Sequence, residues 1–122
     1  MLNGMNSSNR RGCIGTMVHR VIIRKRAITQ FQAICDYLTK EFGGTVADEF
    51  EFEMENCIET LRKFPESGHP EPIDSKFLYR SKIVGKYNKM YYYMHGNTLV
   101  VAAFADMRMH PDNIMKAVTG KP

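Results

Sequence analysis

Basic and aromatic residues recur in the last third of the chain with the alternation of β-strands. The segments Phe77 to Val84 and Tyr87 to His95 are rich in aromatic and β-branched residues, which predicts two strands. Successive side chains of a strand point to opposite faces, so Arg80 and Lys82 share one face. We expect the cationic face to lie open to solvent, on the side of the sheet away from the helices. An open face that combines cations with tyrosines can hold RNA through phosphate contacts and base stacking. The plainer interpretation is that tyrosines tolerate half-buried strand positions.

Further charged and aromatic residues extend this candidate site. A set of basic residues is more informative than any one of them, because a single surface charge is usually solvated without a target. One face of the second strand is predicted to carry Tyr87, Lys89, Tyr91, Tyr93 and His95. The predicted nucleic-acid or target-binding residues are Arg80, Lys82, Lys86, Lys89, Arg108 and His110.

The charge is distributed in three blocks along the chain. Residues 1–26 and residues 76–122 each carry a net charge of +6, whereas residues 27–75 carry −8, and the whole chain carries +4. If the two basic blocks fold against each other, one side of the molecule is positive. Such a side favours phosphates or an acidic protein partner.

Length and composition exclude several classes of protein. The chain has 122 residues, which suits one domain with one core. Its 7 Phe and 6 Tyr are too many for a disordered protein, and no apolar run has the length of a membrane span or the character of a signal peptide. The 3 cysteines lack paired metal spacing, the 4 histidines are scattered, and there is no glycine-rich phosphate loop. We therefore expect a cytoplasmic protein with no metal or other cofactor and no membrane partner.

The first half of the chain predicts a strand and a helical hairpin. Residues 1–16 are rich in Asn, Ser and Gly and are predicted to be a disordered extension, with Met17 as the natural start of a single domain over residues 17–118. The run Met17 to Arg24 predicts a strand. An apolar stripe from Phe31 to Phe42 predicts a helix that ends at Gly43-Gly44. Thr45 is predicted to cap a second helix, which Pro65 closes.

The second half predicts a sheet built from hairpins. Residues 65–76 hold three of the five prolines and are predicted to be irregular. The strands 77–84 and 87–95 are followed by Thr98 to Ala105 after a turn at Gly96-Asn97, and Pro111 opens a terminal helix to Val118, before a tail at 119–122. The order β-α-α-β-β-β-(α) predicts an α+β fold, with the helical hairpin packed on a mainly antiparallel four-stranded sheet.

The sequence over residues 17–118 resembles the RelE/ParE superfamily of bacterial toxins, which includes plasmid stabilization proteins. The resemblance rests on the helical hairpin ending in the pattern FPxxGxP (Phe64 to Pro70) and on Tyr79-Arg80 before a tyrosine-containing hairpin. Members belong to type II toxin–antitoxin systems and are neutralised by a cognate antitoxin. RelE-type members cleave mRNA on the ribosome, whereas ParE-type members poison DNA gyrase without known catalysis. The resemblance implies the same α+β fold for this chain.

The nuclease members use basic residues and an acid to let the RNA 2′-OH attack the scissile phosphate without a metal ion. By position in the pattern, Arg80 and Lys82 match the basic residues of the second strand. Arg108 matches the basic residue after the last strand, and Glu71 matches an acid that some family nucleases use as general base.

The chain departs from the nuclease pattern at two positions. Asn88 stands where the nucleases usually have an arginine, and there is no tyrosine after Tyr93. His110 is a candidate to replace the missing proton donor, although an exposed loop histidine is the plainer interpretation. We therefore favour a ParE-like, non-catalytic gyrase poison. The alternatives are a RelE-like ribosome-dependent mRNA endoribonuclease and an inactive or repurposed RNA- or protein-binding domain.

The predicted partners are a cognate antitoxin and, as target, DNA gyrase or the ribosome with its mRNA. The antitoxin is expected to lay an amphipathic helix or an extended segment across the toxin. It should be acidic where it crosses Arg80, Lys82 and Lys86. A homodimer is left open by the sequence.

The expected start at Met17 predicts the mass of the native protein. Intact mass spectrometry of protein purified from its native host should give a chain that begins at Met17 or at the residue after it. A mass that includes Met1 would contradict the expectation.

Overall fold

The α+β class predicted from the sequence is confirmed by the computed structural model, which describes residues 18–121. The predicted disordered extension and Met17 lie outside the described residues. The elements in chain order are β1 (Arg20–Ile23), α1 (Lys25–Phe42), α2 (Gly44–Lys63), β2 (His69–Pro70), β3 (Arg80–Val84), β4 (Asn88–His95), β5 (Thr98–Asp106) and α3 (Pro111–Thr119).

The described strands form one mixed sheet in the order β1-β5-β4-β3-β2. β1 runs parallel to β5, and the other neighbouring pairs are antiparallel. Four strands were predicted, and the fifth, β2, lies in the proline-rich segment that was predicted to be irregular. His69 pairs with Ser81 and Pro70 pairs with Arg80. A proline is tolerated there because β2 is an edge strand and its nitrogen need not donate to a neighbour.

The helical hairpin forms as predicted, but its turn is tighter than expected. Gly43 alone separates the two helices and has φ +98°, a conformation that favours glycine. α2 begins at Gly44, and no side chain caps its first turn, so the predicted cap at Thr45 is wrong. The two helices meet through the rings of Phe31 and Phe50, whose centroids are 5.3 Å apart.

Both faces of the sheet are covered, which corrects the expectation of a face open to solvent. On one face, α1 and α2 bury a core that includes Met90 and Tyr92 of β4. On the other face, α3 and the segment between β2 and β3 bury Tyr91 and Tyr93, which are only 2% and 5% exposed. Three alanines of β5 lie in this second core (Ala102, Ala103 and Ala105). Their small side chains leave room for α3 to approach the sheet closely.

Tyr91 and Tyr93, which were predicted to lie on an open sheet face, therefore belong to a buried aromatic cluster. The ring of Tyr93 stacks on Phe77 at 3.9 Å between centroids and meets Tyr79 edge-on at 5.4 Å. Phe77 and Tyr79 lie in the segment that crosses the sheet before β3 begins at Arg80. These rings pack against one another and cannot stack on bases without leaving the core.

A buried tyrosine of β4 holds the loop after α2. The hydroxyl of Tyr92 donates to the carbonyl oxygen of Pro65 at 2.7 Å and accepts a hydrogen bond from the backbone N–H of Gly68 at 3.0 Å. A Cβ atom on Gly68 would clash with this hydroxyl oxygen and lie 2.9 Å from the carbonyl oxygen of Ser81. The glycine of the FPxxGxP pattern is therefore required by close packing.

Replacing Gly68 by alanine should lower the free energy of unfolding by about 1–3 kcal/mol, because the new methyl group must displace Tyr92 or the backbone of β3. The matched control is Gly44→Ala, where a Cβ meets no atom within 4 Å. That change should leave stability unchanged or raise it by up to about 1 kcal/mol, because alanine restricts the unfolded chain. Urea denaturation checks both, and equal effects of the two substitutions would contradict the packing argument.

Candidate functional site

The two cations predicted on β3 lie on the face of the sheet that packs against the helices. Arg80 is paired across the strands with Tyr92, and both partners therefore point to the same face. Lys82 is paired in the same way with Met90. Tyr92 and Met90 belong to the core beneath α1 and α2. The shared face of Arg80 and Lys82 was predicted correctly, but the expectation that it lies open and away from the helical hairpin is wrong.

Arg80 fastens the loop between α2 and β2. Its Nη1 donates hydrogen bonds to the backbone carbonyl oxygens of Glu66 at 3.1 Å and Gly68 at 2.9 Å. The residue is half-buried at the side of the sheet. A guanidinium has five N–H donors, so these two bonds do not exhaust its capacity. Part of Arg80 is nevertheless committed to the fold.

The side chain of Lys82 lies between its own strand, β3, and α2. It is half-buried, and its charge acts on the thiol of Cys57 in α2. Burial raises the pKa of Cys57, and the nearby Lys82 lowers it only in part. Lys82 therefore projects toward the helical hairpin rather than onto an open sheet surface.

Glu71, the predicted general base, is hydrogen-bonded to two neighbours, of which Lys89 carries the opposite charge. It directly follows β2, and its Oε2 accepts hydrogen bonds from Ser81 Oγ at 2.7 Å and from Lys89 Nζ at 2.8 Å. Burial raises the pKa of Glu71, but the bonds from Lys89 and Ser81 outweigh it, so the pKa lies below its usual value. A carboxylate in this state is a weak base near neutral pH.

Glu71 and the cations of β3 lie on opposite faces of the sheet. The partner of Glu71 is Ser81, which stands between Arg80 and Lys82 in the strand and is paired with Tyr91. Tyr91 belongs to the core under α3, and burial, together with the charge of Glu71, raises its pKa to about 12. The structure thus brings Glu71 together with Lys89, but it does not bring Glu71 together with Arg80 and Lys82.

Lys86 and Arg108 converge on one exposed ring at the end of the sheet. Tyr87 lies in the turn between β3 and β4, and Arg108 lies in the turn after β5. The guanidinium carbon of Arg108 is 3.8 Å from the centroid of the Tyr87 ring, and Lys86 Nζ is 5.3 Å from it. Arg108 also forms a two-point ion pair with Asp106, with Nε to Oδ1 at 3.0 Å and Nη2 to Oδ2 at 2.6 Å. This cluster was not predicted, because Tyr87 was assigned to a strand.

The ion pair between Arg108 and Asp106 favours the charged form of both side chains. The bonds from Arg108 hold the pKa of Asp106 below its usual value. Asp106, and to a smaller extent the hydroxyls of Tyr87 and Tyr37, raise the pKa of Arg108. Tyr37, in α1, is exposed and meets the ring of Phe42 edge-on. Tyr37 of the helical hairpin is therefore within electrostatic range of Arg108.

His110 caps α3. Its Nδ1 accepts a hydrogen bond from the backbone N–H of Asp112 at 3.1 Å, and Pro111 opens the helix as predicted. The histidine is exposed, and its observed contact is with the helix that it precedes. This geometry gives His110 a role in the fold without testing a role in proton transfer.

Two residues of α1 hold α3 in place and were missed by the sequence analysis. Gln30 donates from Nε2 to the carbonyl oxygen of Ala117 at 3.0 Å, and its Oε1 accepts from the backbone N–H of Phe104 at 2.9 Å. Arg26 donates to the carbonyl oxygen of Val118 at 3.3 Å. Their spacing of four residues places both on one side of α1, and this spacing is the signal by which they could have been found.

Neither a cluster of metal ligands nor a helix that could span a membrane is present within the described residues 18–121. In this range, no three or more His, Cys, Asp or Glu side chains are grouped in a way that could hold a metal ion. None of the helices described here combines the length and hydropathy that a bilayer span requires.

Comparison with known proteins identifies related toxins. The sequence model of the family described as "ParE toxin of type II toxin-antitoxin system, parDE" matches residues 21–111. The structure is similar to that of a chain described as "Chromosomal ParDE TA system from P. aeruginosa", with a TM-score of 0.61 and 13% sequence identity over 75% of this chain and 98% of that chain. At this identity the similarity concerns the fold alone. The search of curated proteins found no match.

Replacing Glu71 by glutamine should destabilise the protein by about 1–3 kcal/mol at pH 7, because half-buried Lys89 loses its charged partner. The pKa of Glu71 is lowered by folding, so the pair stabilises the fold above the ordinary carboxyl range and loses this effect as the pH falls. The difference from wild type should therefore narrow below about pH 4.

Urea unfolding at a series of pH values measures this difference. The matched control is Glu59→Gln, which breaks an exposed ion pair with Arg62 on α2 and should change stability by less than about 1 kcal/mol. A Glu71→Gln effect that is independent of pH would contradict the assignment.

Proposed function

The chain belongs to the ParE toxin family of type II toxin–antitoxin systems, and we propose that it acts by binding and poisoning DNA gyrase rather than by cutting RNA. In this proposal a cognate antitoxin neutralises it. Binding requires an accessible, ordered surface, whereas cleavage requires an acid, a base and cations around one phosphate. The two activities therefore place different demands on the same residues.

The proposal is supported above all by the separation of Glu71 from Arg80 and Lys82. Glu71 is bonded to Ser81, whose side chain points to the α3 face, whereas its two neighbours in β3 point to the face under the helical hairpin. A general base and the cations that stabilise a phosphorane must contact the same phosphate within hydrogen-bond distance. A sheet between them prevents that arrangement.

The remaining nuclease positions are also engaged elsewhere. Nε and Nη2 of Arg108 are occupied by Asp106, and His110 caps α3. Asn88, which replaces the arginine of the nucleases, is paired with Asp106 across β4 and β5. Glu71, Arg80 and Arg108 are thus each engaged in contacts within the fold, whereas Lys82 forms no ion pair with another described residue.

An apolar groove beside α1 suits the proposed antitoxin. It has a volume of about 390 Å³ and is lined by residues of α1, α2 and the sheet that include Ile28, Phe31, Cys35, Met54 and Phe104. An amphipathic helix binds such a groove through its apolar face. Asp36 and Glu51 also line the groove, so a basic residue on the antitoxin helix would add charge complementarity to this contact.

The proposal is tested by inducing the chain in growing bacteria and examining both candidate targets. A gyrase poison should trigger double-strand breaks and the SOS response, and the purified chain should stabilise gyrase–DNA cleavage complexes, while the 5′ ends of cellular mRNA stay unchanged. New mRNA ends that appear within minutes, without DNA breaks, would overturn the proposal in favour of the endoribonuclease.

The Glu71→Gln variant also distinguishes gyrase poisoning from RNA cleavage. If the chain acts by binding, growth inhibition should persist, because Glu71 then serves only the stability of the fold. Thermal unfolding and co-purification with the antitoxin confirm that the variant is folded. A folded variant that has lost all toxicity would indicate that the carboxylate does chemistry.

A further inference from the structure

We propose that Lys86, Tyr87 and Arg108, called the basic tip below, are the surface through which this chain binds an acidic segment of its target protein. The inference rests on the proposed function, because a toxin that acts by binding needs such a surface. The basic tip lies at the end of the sheet, where the chain turns between β3 and β4 and again after β5.

Three contacts hold the basic tip together, and two of them join parts of the chain that are distant in sequence. Lys86 Nζ and the guanidinium of Arg108 lie 5.3 Å and 3.8 Å from the centroid of the Tyr87 ring. The backbone N–H of Met107 donates to the carbonyl oxygen of Tyr87 at 2.8 Å. The two turns are therefore joined by their backbones as well as by their side chains.

Arg108 is held in place although it is exposed. Its side chain is 61% exposed, yet Asp106 binds two of its nitrogens and Tyr87 supports its plane. The turn itself is fixed, because Oδ1 of Asp106 also accepts a hydrogen bond from the backbone N–H of Arg108 at 2.8 Å. An exposed arginine normally loses side-chain entropy when it binds a partner, and this order reduces that loss.

Packing does not account for this order. The basic tip lies outside both cores of the sheet, and an exposed ion pair contributes little to stability. Ordered Arg and Tyr side chains are, by contrast, the residues most enriched among those that dominate binding energy at protein interfaces.

The chemistry of the basic tip selects an acidic partner. The bonds to Asp106 use Nε and Nη2 of Arg108, so Nη1 is left to donate to a carboxylate of the partner. Lys86 adds a second positive charge beside it. Two acids lie at this end, Asp106 and Glu53, whose Oε2 accepts a hydrogen bond from the backbone N–H of Gly85 at 3.0 Å. The preference for a carboxylate partner therefore rests on the donors left on Arg108 and Lys86 rather than on net charge.

The preformed geometry favours a folded target over a flexible antitoxin. Ordered side chains such as those of the basic tip fit best against a partner surface that is also preformed. A flexible antitoxin segment that wraps around the toxin gains most of its affinity by burying apolar surface. None of the three residues of the basic tip lines the apolar groove proposed for the antitoxin. The two partners therefore use different residues of the toxin.

The test measures growth inhibition and the binding of purified DNA gyrase by the full chain. Arg108→Ala should abolish growth inhibition and weaken gyrase binding at least tenfold, because it removes the central residue of the contact. Binding of the antitoxin encoded beside the toxin should change by less than about threefold. The matched control is Arg62→Ala, which removes an exposed, ion-paired arginine of α2 and should leave both activities unchanged.

The Asp106→Asn variant tests whether gyrase binding depends on the ordered position of the Arg108 side chain or only on its positive charge. This variant makes the basic tip more positive, so a purely electrostatic contact with an acidic partner would become tighter. If the order of Arg108 is what matters, gyrase binding should instead weaken about threefold to tenfold, because a freed side chain must be ordered again on binding.

The outcomes distinguish this inference from the proposed function. A wild-type chain that poisons gyrase, with Arg108→Ala equally active, overturns the basic tip and leaves the proposed function standing. A wild-type chain that neither inhibits growth nor binds gyrase overturns both. Loss of antitoxin binding in Arg108→Ala, with gyrase binding intact, would assign the basic tip to the antitoxin and overturn the inference.

Discussion

The structure depends on the burial of β5 on both faces of the sheet. The run Leu99 to Ala105 contains no polar side chain, and all seven of its residues are buried. A strand of this kind is stable only if apolar layers cover both sides. The helical hairpin supplies one layer, and α3 with the segment before β3 supplies the other. Little of the sheet remains accessible except its edges and ends.

This constraint decides what the charged residues of the sheet can do. A charge at a half-buried strand position is costly unless it is paired. Glu71 is held by Lys89 and Ser81, and Arg80 is bonded to the loop after α2. These two groups, which would serve an RNA-cutting enzyme, are in this way committed to stability. Arg108, at the end of the sheet, is also ordered but remains exposed.

The sequence predicted local structure well because local structure depends on local periodicity. The apolar stripe of α1, the glycine that ends it, the turn at Gly96-Asn97 and the common face of Arg80 and Lys82 all follow from spacings of two to four residues. The ends of the strands were predicted less accurately, because β1 and β3 each begin three residues later than predicted. At β3 the reason is that Phe77 and Tyr79 cross over the sheet instead of joining it.

The choice of face was not predictable from alternation. A period of two residues says which side chains share a face, but the layer that covers the face is supplied by distant segments. The continuous apolar run of β5 was the one signal in the sequence that both faces of the sheet are covered. As a signal of burial it is stronger than the charges of the neighbouring strands are as a signal of exposure. The contacts of Gln30 with α3 and β5 were similarly hidden, because they join residues more than 70 positions apart.

The two proposed surfaces adjoin, and this has a consequence for neutralisation. Asp36 lines the apolar groove, and the next residue, Tyr37, lies near Arg108. A segment that fills the groove and continues past Asp36 in the direction of Tyr37 would approach the end of the sheet where Arg108 is exposed. It would block a folded target by occupying the space in front of Arg108, even if it gains little energy there. Under the proposed function, neutralisation then requires tight binding only in the groove, and the affinity for the antitoxin can change independently of the affinity for the target.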